Sequence, residues 1–286
     1  MPSPASRGES MTPFDRPTTS PERTEEGTDK PFDYSSRLGW DVFYENGIKK
    51  RQEEDGPIEV GVVVESSPTE YEYEWHSHIP HSAIAEAIRP AISAASSRYR
   101  PRSSRQSGRA PSILLVGCGN SGLPRALHDA FDADVRVTCL DYSPACIDAM
   151  RSLYGNAYPN VDFVVGDATD LGGVVWNEVD GAGDLSGGDT RWFDVVVDKG
   201  LLDALMCGEG FDVERLMGGI NDVLVPHSWG MHVLICFPLS TASKRILEEF
   251  PGLEWDFDIP VEGSENGRAS FNLARRCRRQ GADVML

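Results

Sequence analysis

The sequence predicts an α/β fold built on a doubly wound, mostly parallel sheet. Short apolar runs, which suit strands covered on both faces, alternate with segments of helical periodicity. The runs occupy residues 113–116, 135–140, 161–165, 193–197 and 231–237. Helical patterns follow several of these runs, at residues 123–131, 144–153 and 213–224. A chain that alternates in this way forms a parallel sheet with helices on both faces.

The end of the chain follows a different pattern. Between residues 253 and 259, apolar side chains alternate strictly with acidic ones, which predicts a half-exposed antiparallel strand. A last strand is predicted at residues 270–274, after a glycine-containing turn. We therefore expect the parallel sheet to be closed by an antiparallel pair.

The first strand leads directly into a glycine turn. The segment ILLVGCGNSG places Gly117, Gly119 and Gly122 in a G-x-G-x-x-G spacing between a strand and a helix. Glycines at such a turn let a ligand lie against the backbone, beside the free N–H groups at the start of the helix. The spacing predicts a nucleotide-type cofactor site, but by itself it suits NAD, FAD or S-adenosylmethionine equally.

Acidic residues mark the ends of the next strands. Asp141 ends the second strand, where its carboxylate can accept hydrogen bonds from both hydroxyls of a ribose. The third strand ends in Gly-Asp-Ala at residues 166–168, and the fourth ends in Asp-Lys-Gly at residues 198–200. This succession resembles the class I S-adenosylmethionine-dependent methyltransferases. The resemblance implies a seven-stranded sheet with an antiparallel last strand, S-adenosylmethionine as cofactor, and Asp167 as the reader of the adenine amino group.

A more specific resemblance lies in the segment FDVVVDKGLLDAL, residues 193–205. It is similar to the D-K-G-T-x-D-A signature of the methyltransferase-like protein-lysine methyltransferases that act on elongation factor 1-alpha. The segments WDVFY at 40–44 and YEWH at 73–76 resemble two aromatic boxes of that group. This chain departs from the group where Leu201 replaces Thr, where His76 stands in place of Tyr, and where residues 49–67 separate the boxes.

The resemblance spans residues 38–276 and implies roles for particular residues. Trp40 and Tyr44 are expected to face the sulfonium through cation–π contacts. Gly117, Gly119 and Asn120 are expected to border the methionine part. The complete set of implied cofactor-binding residues is Trp40, Tyr44, Gly117, Cys118, Gly119, Asn120, Gly122, Asp141, Tyr142, Ser143, Asp167, Ala168, Thr169, Asp198, Lys199 and Gly200.

Catalytic roles on the acceptor side are expected for Asp198, Glu74 and Trp75. A target lysine must lose a proton before its amine can attack the methyl group, and Asp198 is placed to orient the amine or to pass that proton to water. The alternative for Asp198 is a cap on the segment that follows it. Lys199 is expected to pair with a nearby acid, because direct methyl transfer needs no covalent enzyme intermediate.

Around this core, composition divides the chain into regions. Residues 1–31 are rich in Pro, Ser, Thr and charge and predict a disordered tail. Residues 32–96 form an aromatic and helical segment with an insertion at 49–67, a short strand or hairpin arm at 60–64, and a helix at 81–96. Residues 97–110 are basic and are expected to form a flexible loop. Residues 111–280 are expected to form the cofactor-binding core.

Charge and cysteine usage limit the function classes. The net charge of −18 and the isoelectric point of about 4.7 argue against general binding to nucleic-acid phosphates. A basic protein partner fits better, although acidity also serves solubility alone. The six cysteines are scattered without a C-x-x-C pair, and His76, His78 and His81 lack further ligands at zinc spacing, so no metal site is expected.

The sequence contains neither an apolar run long enough to cross a bilayer nor a secretory leader, so we expect a cytoplasmic protein without a membrane partner. The leading hypothesis for its function is that the protein is a protein-lysine N-methyltransferase acting on elongation factor 1-alpha. Two alternatives keep the fold: a methyltransferase for small molecules, and a methyltransferase-like binding module that has lost turnover.

Overall fold

One seven-stranded sheet forms the centre of the molecule, with the strand order β3-β2-β1-β4-β5-β7-β6. The computed structural model describes residues 32–34, 36–55, 72–99, 109–155, 157–174, 176, 192–208, 211–261 and 269–277. The strands are β1 (Ser112–Val116), β2 (Arg136–Asp141), β3 (Val161–Val165), β4 (Val195–Lys199), β5 (Met231–Cys236), β6 (Leu253–Asp256) and β7 (Ser270–Arg276).

Strand directions confirm the predicted sheet. β1 pairs in parallel with β2 and β4, β2 with β3, and β4 with β5. β7 is antiparallel to both of its neighbours, β5 and β6. The chain goes outward from β1 to β3 and then returns to place β4 on the other side of β1. Ligands of such sheets bind beyond the carboxyl ends of the strands at this reversal point.

Helices cover both faces of the sheet. They are α1 (Arg37–Asp55), α2 (His81–Tyr99), α3 (Leu123–Phe131), α4 (Pro144–Tyr154), α5 (Leu201–Leu205), α6 (Phe211–Val223) and α7 (Thr241–Glu249). The sequence patterns predicted α2, α3, α4 and α6 but missed α1, α5 and α7. Five residues are too few for α5 to show a period, and Leu247 is the one fully buried side chain of α7.

The two amino-terminal helices differ from the predictions, which contained no helix at α1 and a shorter α2. α1 continues through the first residues of the expected insertion and ends at Asp55. The rest of that insertion, including the expected strand at 60–64, lies outside the described residues, as does the expected tail at 1–31. α2 ends at Tyr99 rather than at residue 96, so it includes the start of the expected basic loop, of which residues 100–108 also lie outside.

The described elements all lie within one compact unit, Asp33–Leu286. Its core consists of the buried residues of strands β1, β4 and β5 and the apolar faces of α2 and α6. The cysteines are unpaired, and Cys118, Cys139, Cys146 and Cys236 are buried. None of the described helices is long and apolar enough to cross a membrane.

Candidate active site

The glycine turn after β1 has the backbone that its sequence predicted. Gly117 and Gly119 have φ angles of +58° and +53°, a region that side chains with a Cβ rarely adopt. A Cβ at Gly117 would lie 2.9 Å from the Cβ of Leu201, and one at Gly119 would lie 3.0 Å from the Tyr44 hydroxyl. The turn therefore forms a cradle that only glycine permits.

Asp141, the last residue of β2, lies directly beside this cradle. Its carboxylate accepts hydrogen bonds from the N–H groups of Gly119 and Ser143, each at 3.0 Å. The side chain is only 4% exposed, and this burial raises its pKa to about 6, although hydrogen bonds from the N–H groups of Ser143, Gly119 and Tyr142 oppose the shift. A carboxylate has about four acceptor positions, so Asp141 can still accept a hydrogen bond from a ribose hydroxyl.

Asp167 occupies the corresponding place after β3. Its Oδ1 accepts hydrogen bonds from the N–H of Thr169 at 2.8 Å and from the Thr169 hydroxyl at 2.7 Å. The carboxylate caps the short 3₁₀ segment Ala168–Gly173. Because these bonds use one oxygen, the exposed carboxylate can still accept a hydrogen bond from an amino group of a ligand.

The second aromatic box, residues 73–76, lies across the glycine turn. The N–H of Tyr73 donates to the carbonyl of Asn120 at 3.2 Å. Glu72, just before the box, binds the scaffold: it contacts Arg125 at 3.1 Å and the hydroxyl of Tyr154. The box is thus fastened to α3 and α4, which its sequence alone did not indicate.

Glu74 lies at the centre of this arrangement. Its carboxylate accepts hydrogen bonds from the Gly122 N–H at 2.6 Å and from the Ser121 hydroxyl at 2.9 Å, and contacts Lys199 Nζ at 2.5 Å. His81 Nε2 lies 3.2 Å away. Burial opposes ionisation of Glu74, but hydrogen bonding from His81 and the charge of Lys199 outweigh it and lower the pKa to about 2.

The position of Glu74 discriminates between cofactor types. In dinucleotide-binding folds the pyrophosphate lies at the start of the helix after the glycine turn, on its free N–H groups. Here Glu74 already occupies the Gly122 N–H, and Glu72 lies 3.0 Å from the place of a Gly122 Cβ. Two carboxylates would repel a pyrophosphate, whereas S-adenosylmethionine has no phosphate. The local charges therefore favour S-adenosylmethionine over NAD and FAD.

Two further contacts connect the second aromatic box to β4 and α5: Lys199 binds Glu74 and Trp75, and His76 binds Asp203. Burial lowers the pKa of Lys199, while Glu74 opposes that shift, and the ammonium also donates to the carbonyl of Trp75. His76, which has a φ of +52°, places Nε2 2.7 Å from Asp203 in α5. The predicted pairing of Lys199 with a nearby acid is what the structure shows, and the acid is Glu74.

Asp198 is buried beneath the site. β4 ends at Lys199, two residues later than predicted, so Asp198 belongs to the strand and is fully buried. Its carboxylate accepts hydrogen bonds from the N–H of Leu201 at 2.9 Å and of Leu202 at 3.2 Å. Burial, together with the charge of Asp203, raises its pKa to about 8. These contacts correspond to the cap that the sequence left open as the alternative role.

A cavity of about 310 Å³ opens at the carboxyl ends of β1, β2 and β4. It brings together most of the residues expected to bind the cofactor: Trp40, Tyr44, Gly117, Cys118, Gly119, Asn120, Asp141, Tyr142, Asp167, Ala168, Thr169, Lys199 and Gly200, with Trp75 from the acceptor side. Gly122, Ser143, Glu74 and Asp198 do not line it. Glu74 and Ser143 instead support lining residues through hydrogen bonds.

The cavity also contains residues that the sequence did not predict. These are Tyr34, Arg37, Tyr73, Leu115, Val116, Ser121, Leu123, Gly166, Val197, Leu201, Ala204, Leu205, Asp212 and Arg215. Tyr34 was missed because it precedes the first box by six residues, and its carbonyl accepts a hydrogen bond from Trp40 Nε1 at 2.8 Å. Tyr73 was inside a quoted motif, and its aromatic neighbours could have drawn attention to it.

The histidines near the site have separate partners. His76 contacts Asp203 and His81 contacts Glu74. In the part of the chain that the structure describes, no group of three or more His, Cys, Asp or Glu side chains is arranged to hold a metal ion.

The lining fits the parts of S-adenosylmethionine. A Gly cradle, a buried acid at the end of β2 and an acid at the end of β3 lie in one cavity with aromatic rings that suit a sulfonium. The fold and this site resemble those of the class I S-adenosylmethionine-dependent methyltransferases. Sequence comparison agrees: residues 113–182 match the family model described as a methyltransferase domain.

More specific similarities extend to lysine methyltransferases. The chain is 32% identical over 124 residues to EEF1A lysine methyltransferase 4 of Bos taurus, covering 40% of this chain and 42% of that protein. It is 34% identical over 116 residues to the eEF1A lysine and N-terminal methyltransferase of Xenopus laevis, covering 39% of this chain and 14% of that protein. The aligned regions thus span less than half of the length of these relatives.

Among solved structures, similarities include the DszA carbon methyltransferase, at 17% identity and a TM-score of 0.46, covering 84% of this chain and 66% of that chain. TrmN from Thermus thermophilus is 14% identical with a TM-score of 0.43, covering 68% of this chain and 48% of that chain.

Proposed function

We propose that this protein is a protein-lysine N-methyltransferase and that elongation factor 1-alpha is its substrate. The observation that carries the proposal is the aromatic wall of the cavity. Tyr34, Trp40 and Trp75 line the same cavity as the cofactor motifs, with ring centroids 5.8–6.1 Å apart. The similarity to methyltransferases named for elongation factor 1-alpha supports this choice of protein substrate.

The aromatic wall suits the chemistry of a lysine acceptor. When bound, S-adenosylmethionine supplies a methyl group on a sulfonium. A lysine ammonium cannot attack until it is neutral, and its ordinary pKa is about 10.4. Aromatic walls exclude water and favour the neutral amine, while cation–π contacts hold its methylated, charged product. Alignment of the amine with the methyl group then provides much of the rate acceleration.

We assign the following roles within this proposal. Asp141 binds the ribose, and Asp167 with Ala168 binds the adenine. Trp40 and Tyr44, whose rings stack 5.9 Å apart, face the sulfonium. Trp75 borders the amine. Glu74 and Asp198 act indirectly, Glu74 through Lys199 and the glycine turn, and Asp198 through the start of α5.

Transfer of labelled methyl groups to purified elongation factor 1-alpha tests the proposal. We expect label on a single lysine, located by peptide mass spectrometry, and its loss in Asp141→Asn. The matched control is Asp148→Asn, the same substitution on the exposed face of α4, which should retain activity. An unmodified factor together with intact cofactor binding would contradict the choice of substrate.

The remaining outcomes separate the alternatives. Methylation of extracted metabolites without labelled protein would identify a small-molecule methyltransferase. Cofactor binding without any acceptor would identify a binding module. A substrate such as elongation factor 1-alpha places the proposed activity in the cytoplasm, which imaging of the tagged full-length chain would check.

A further inference from the structure

Two short elements contribute apolar walls to the part of the cavity where Trp75 is proposed to border the amine. One is the second aromatic box, which contributes Trp75 itself, and the other is α5, which contributes Leu201, Ala204 and Leu205. Gly200, with a φ of +90°, lets the two approach closely, because a Cβ there would lie 3.3 Å from the Cβ of Trp75. The width of this part of the cavity therefore depends on how α5 is held relative to the box.

α5 depends on contacts outside itself for its position. A helix of five residues is unstable without support from the rest of the fold. Asp198 supports its first turn by accepting hydrogen bonds from two backbone N–H groups. The second support is Asp203, whose Oδ2 lies 2.7 Å from Nε2 of His76 and whose Oδ1 accepts a hydrogen bond from the N–H of Phe237 at 2.9 Å. One pair of side chains, His76 and Asp203, thus connects α5 to the box.

The His76–Asp203 pair is almost completely buried. The two side chains are 2% and 9% exposed, and the ring of Phe237 packs edge-on against His76 at 5.0 Å. His76 has a φ of +52°, a region that a residue with a Cβ occupies only where its surroundings hold it. Because His76 directly follows Trp75, the contacts that hold His76 also fix the backbone from which the indole ring extends.

We propose that the His76–Asp203 pair sets the width of the acceptor pocket by holding Trp75 and α5 at a fixed distance from each other. Neither side chain lines the cavity, so both are positioning residues that act through Trp75 and the apolar face of α5. The role in methyl transfer rests on the proposed function, in which Trp75 borders the amine. It gives a purpose to the position at which this chain has His76 where the group it resembles has Tyr.

Loss of either partner should affect the acceptor and spare the cofactor. Without His76, Asp203 becomes a buried carboxylate without its partner, and α5 must turn to bring it toward water. A displacement of about 1 Å between reacting groups is enough to lower a rate about a hundredfold. The cofactor is assigned to residues at the ends of other strands, such as Asp141 at the end of β2, so its affinity should remain nearly constant.

Fluorine NMR of the full-length chain labelled with 5-fluorotryptophan tests the positioning without any acceptor. The resonance of Trp75 is identified by its absence in Trp75→Phe. We expect His76→Phe to shift or broaden this resonance, because the box is no longer connected to α5. An unchanged Trp75 resonance in folded His76→Phe would overturn the proposal.

His128→Phe is the matched control. His128 is another partly buried histidine, which contacts Asn160 and packs against Tyr158 at a ring distance of 4.6 Å. The same substitution there should lower the melting temperature and leave the Trp75 resonance unchanged. An equal change of the Trp75 resonance in both variants would show that it reports general loss of stability, which would contradict a specific role for His76.

Kinetics with elongation factor 1-alpha measure the consequence for methyl transfer. His76→Phe should lower kcat/KM for the acceptor by about tenfold or more, while the dissociation constant of S-adenosylhomocysteine from calorimetry changes by less than about twofold. His76→Gln, whose amide can still donate to Asp203, should recover part of the rate. An equal loss of rate and of cofactor affinity would assign His76 to the cofactor and overturn the proposal.

The two readouts keep this proposal separate from the proposed function. If circular dichroism shows that His76→Phe is unfolded, the decision passes to Asp203→Asn, which keeps an acceptor for the Phe237 N–H and should change the Trp75 resonance to a smaller extent. A Trp75 resonance that responds to these variants in a chain that leaves elongation factor 1-alpha unmodified would support the positioning and contradict the substrate. Methylation of the factor with an unresponsive Trp75 resonance would support the substrate and overturn the positioning.

Discussion

At the scale of single residues, Asp141 shows how burial and ligand binding are connected. Burial raises its pKa to about 6, and the nearby charge of Asp41 on α1 acts in the same direction. Above this pH the carboxylate is ionised, the form that the proposed binding of the ribose hydroxyls requires. Below it the protonated form offers fewer acceptor sites to the ligand.

We therefore expect cofactor affinity to fall in mild acid. If Asp141 binds the ribose as proposed, binding favours the ionised carboxylate and should lower the pKa of Asp141 in the complex. The association constant should decrease as pH falls below about 6, by up to about tenfold per pH unit. Calorimetry with S-adenosylhomocysteine between pH 5 and 8 measures this. Asp141→Asn should bind more weakly and without this pH dependence. An identical slope in the variant would assign the titration to another group.

Asp194 organises the opposite end of the sheet. It is fully buried at the start of β4 and accepts hydrogen bonds from the Tyr99 hydroxyl, Arg109 and the Ser112 N–H, at 2.7, 2.7 and 2.9 Å. It thereby connects α2 to β1 and β4. Its contacts are with structural groups, far along the strands from the cavity.

We expect Asp194→Asn to lower the free energy of unfolding by about 3–5 kcal/mol, because it removes the carboxylate that pairs with Arg109 and gives some donors an amide N–H₂ instead of an acceptor. Asp256→Asn provides the matched control. Its pair with Arg275 is 3.8 Å long and both side chains are more than half exposed, so its loss should cost less than about 1 kcal/mol. Urea titrations compare the two, and equal losses would contradict the assignment.

Sequence and structure agree best at residues whose position depends on a strand end. Asp141 ends β2 and Asp167 follows β3, and these strands are parallel neighbours. The carboxyl edge of the sheet therefore brings the two residues close together, independently of the loop conformations. Asp198 differs because a shift of two residues at the end of β4 moves it from the edge into the sheet. The contacts of Glu74 with Gly122 and Lys199 join segments more than forty residues apart, which no local pattern reveals.

At the scale of elements, α6 contains two adjacent glycines in different surroundings. A Cβ at Gly218 would meet no atom within 4 Å. A Cβ at Gly219 would lie 3.3 Å from the Cβ of Leu171, which is buried. Both positions are within Phe211–Val223 and so pay the same conformational cost for glycine in a helix.

We therefore expect Gly218→Ala to raise the free energy of unfolding by about 0.5–1 kcal/mol. Gly219→Ala should gain less or lose stability, because Leu171 must move. Thermal denaturation of the two variants, side by side, makes the comparison. A more stable Gly219→Ala variant would show that α6 is not tightly packed against Leu171.

The second aromatic box shows what sequence can predict of an element and what it cannot. Alternation in the box separates aromatic Tyr73 and Trp75, which line the cavity, from polar residues that bind the scaffold. The resemblance predicted that Trp75 belongs to the site. The partners Arg125, Lys199 and Asp203 depend on the assembled sheet and could not be inferred from spacing.

At the scale of the whole molecule, the cavity is a product of topology. Its walls come from residues before β1, from the turns after β1, β2 and β3, and from β4 and α5. The sequence predicted this common edge because the order of strands and helices fixes the direction of the sheet. The cavity is complete only when segments separated by more than 150 residues are packed together, so a ligand that fills it should stabilise the entire unit.

This coupling predicts how the cofactor changes thermal stability. Free ligand at 100 times its dissociation constant stabilises a protein by about 2.7 kcal/mol. For a domain of this size we expect S-adenosylmethionine at that concentration to raise the melting temperature by about 5–10 °C. NAD at the same concentration should leave it unchanged, because Glu74 occupies the helix start that a pyrophosphate requires. Asp141→Asn should reduce the shift for S-adenosylmethionine, whereas Asp148→Asn should not. A shift with NAD and none with S-adenosylmethionine would show that the carboxylates at the glycine turn do not select the cofactor.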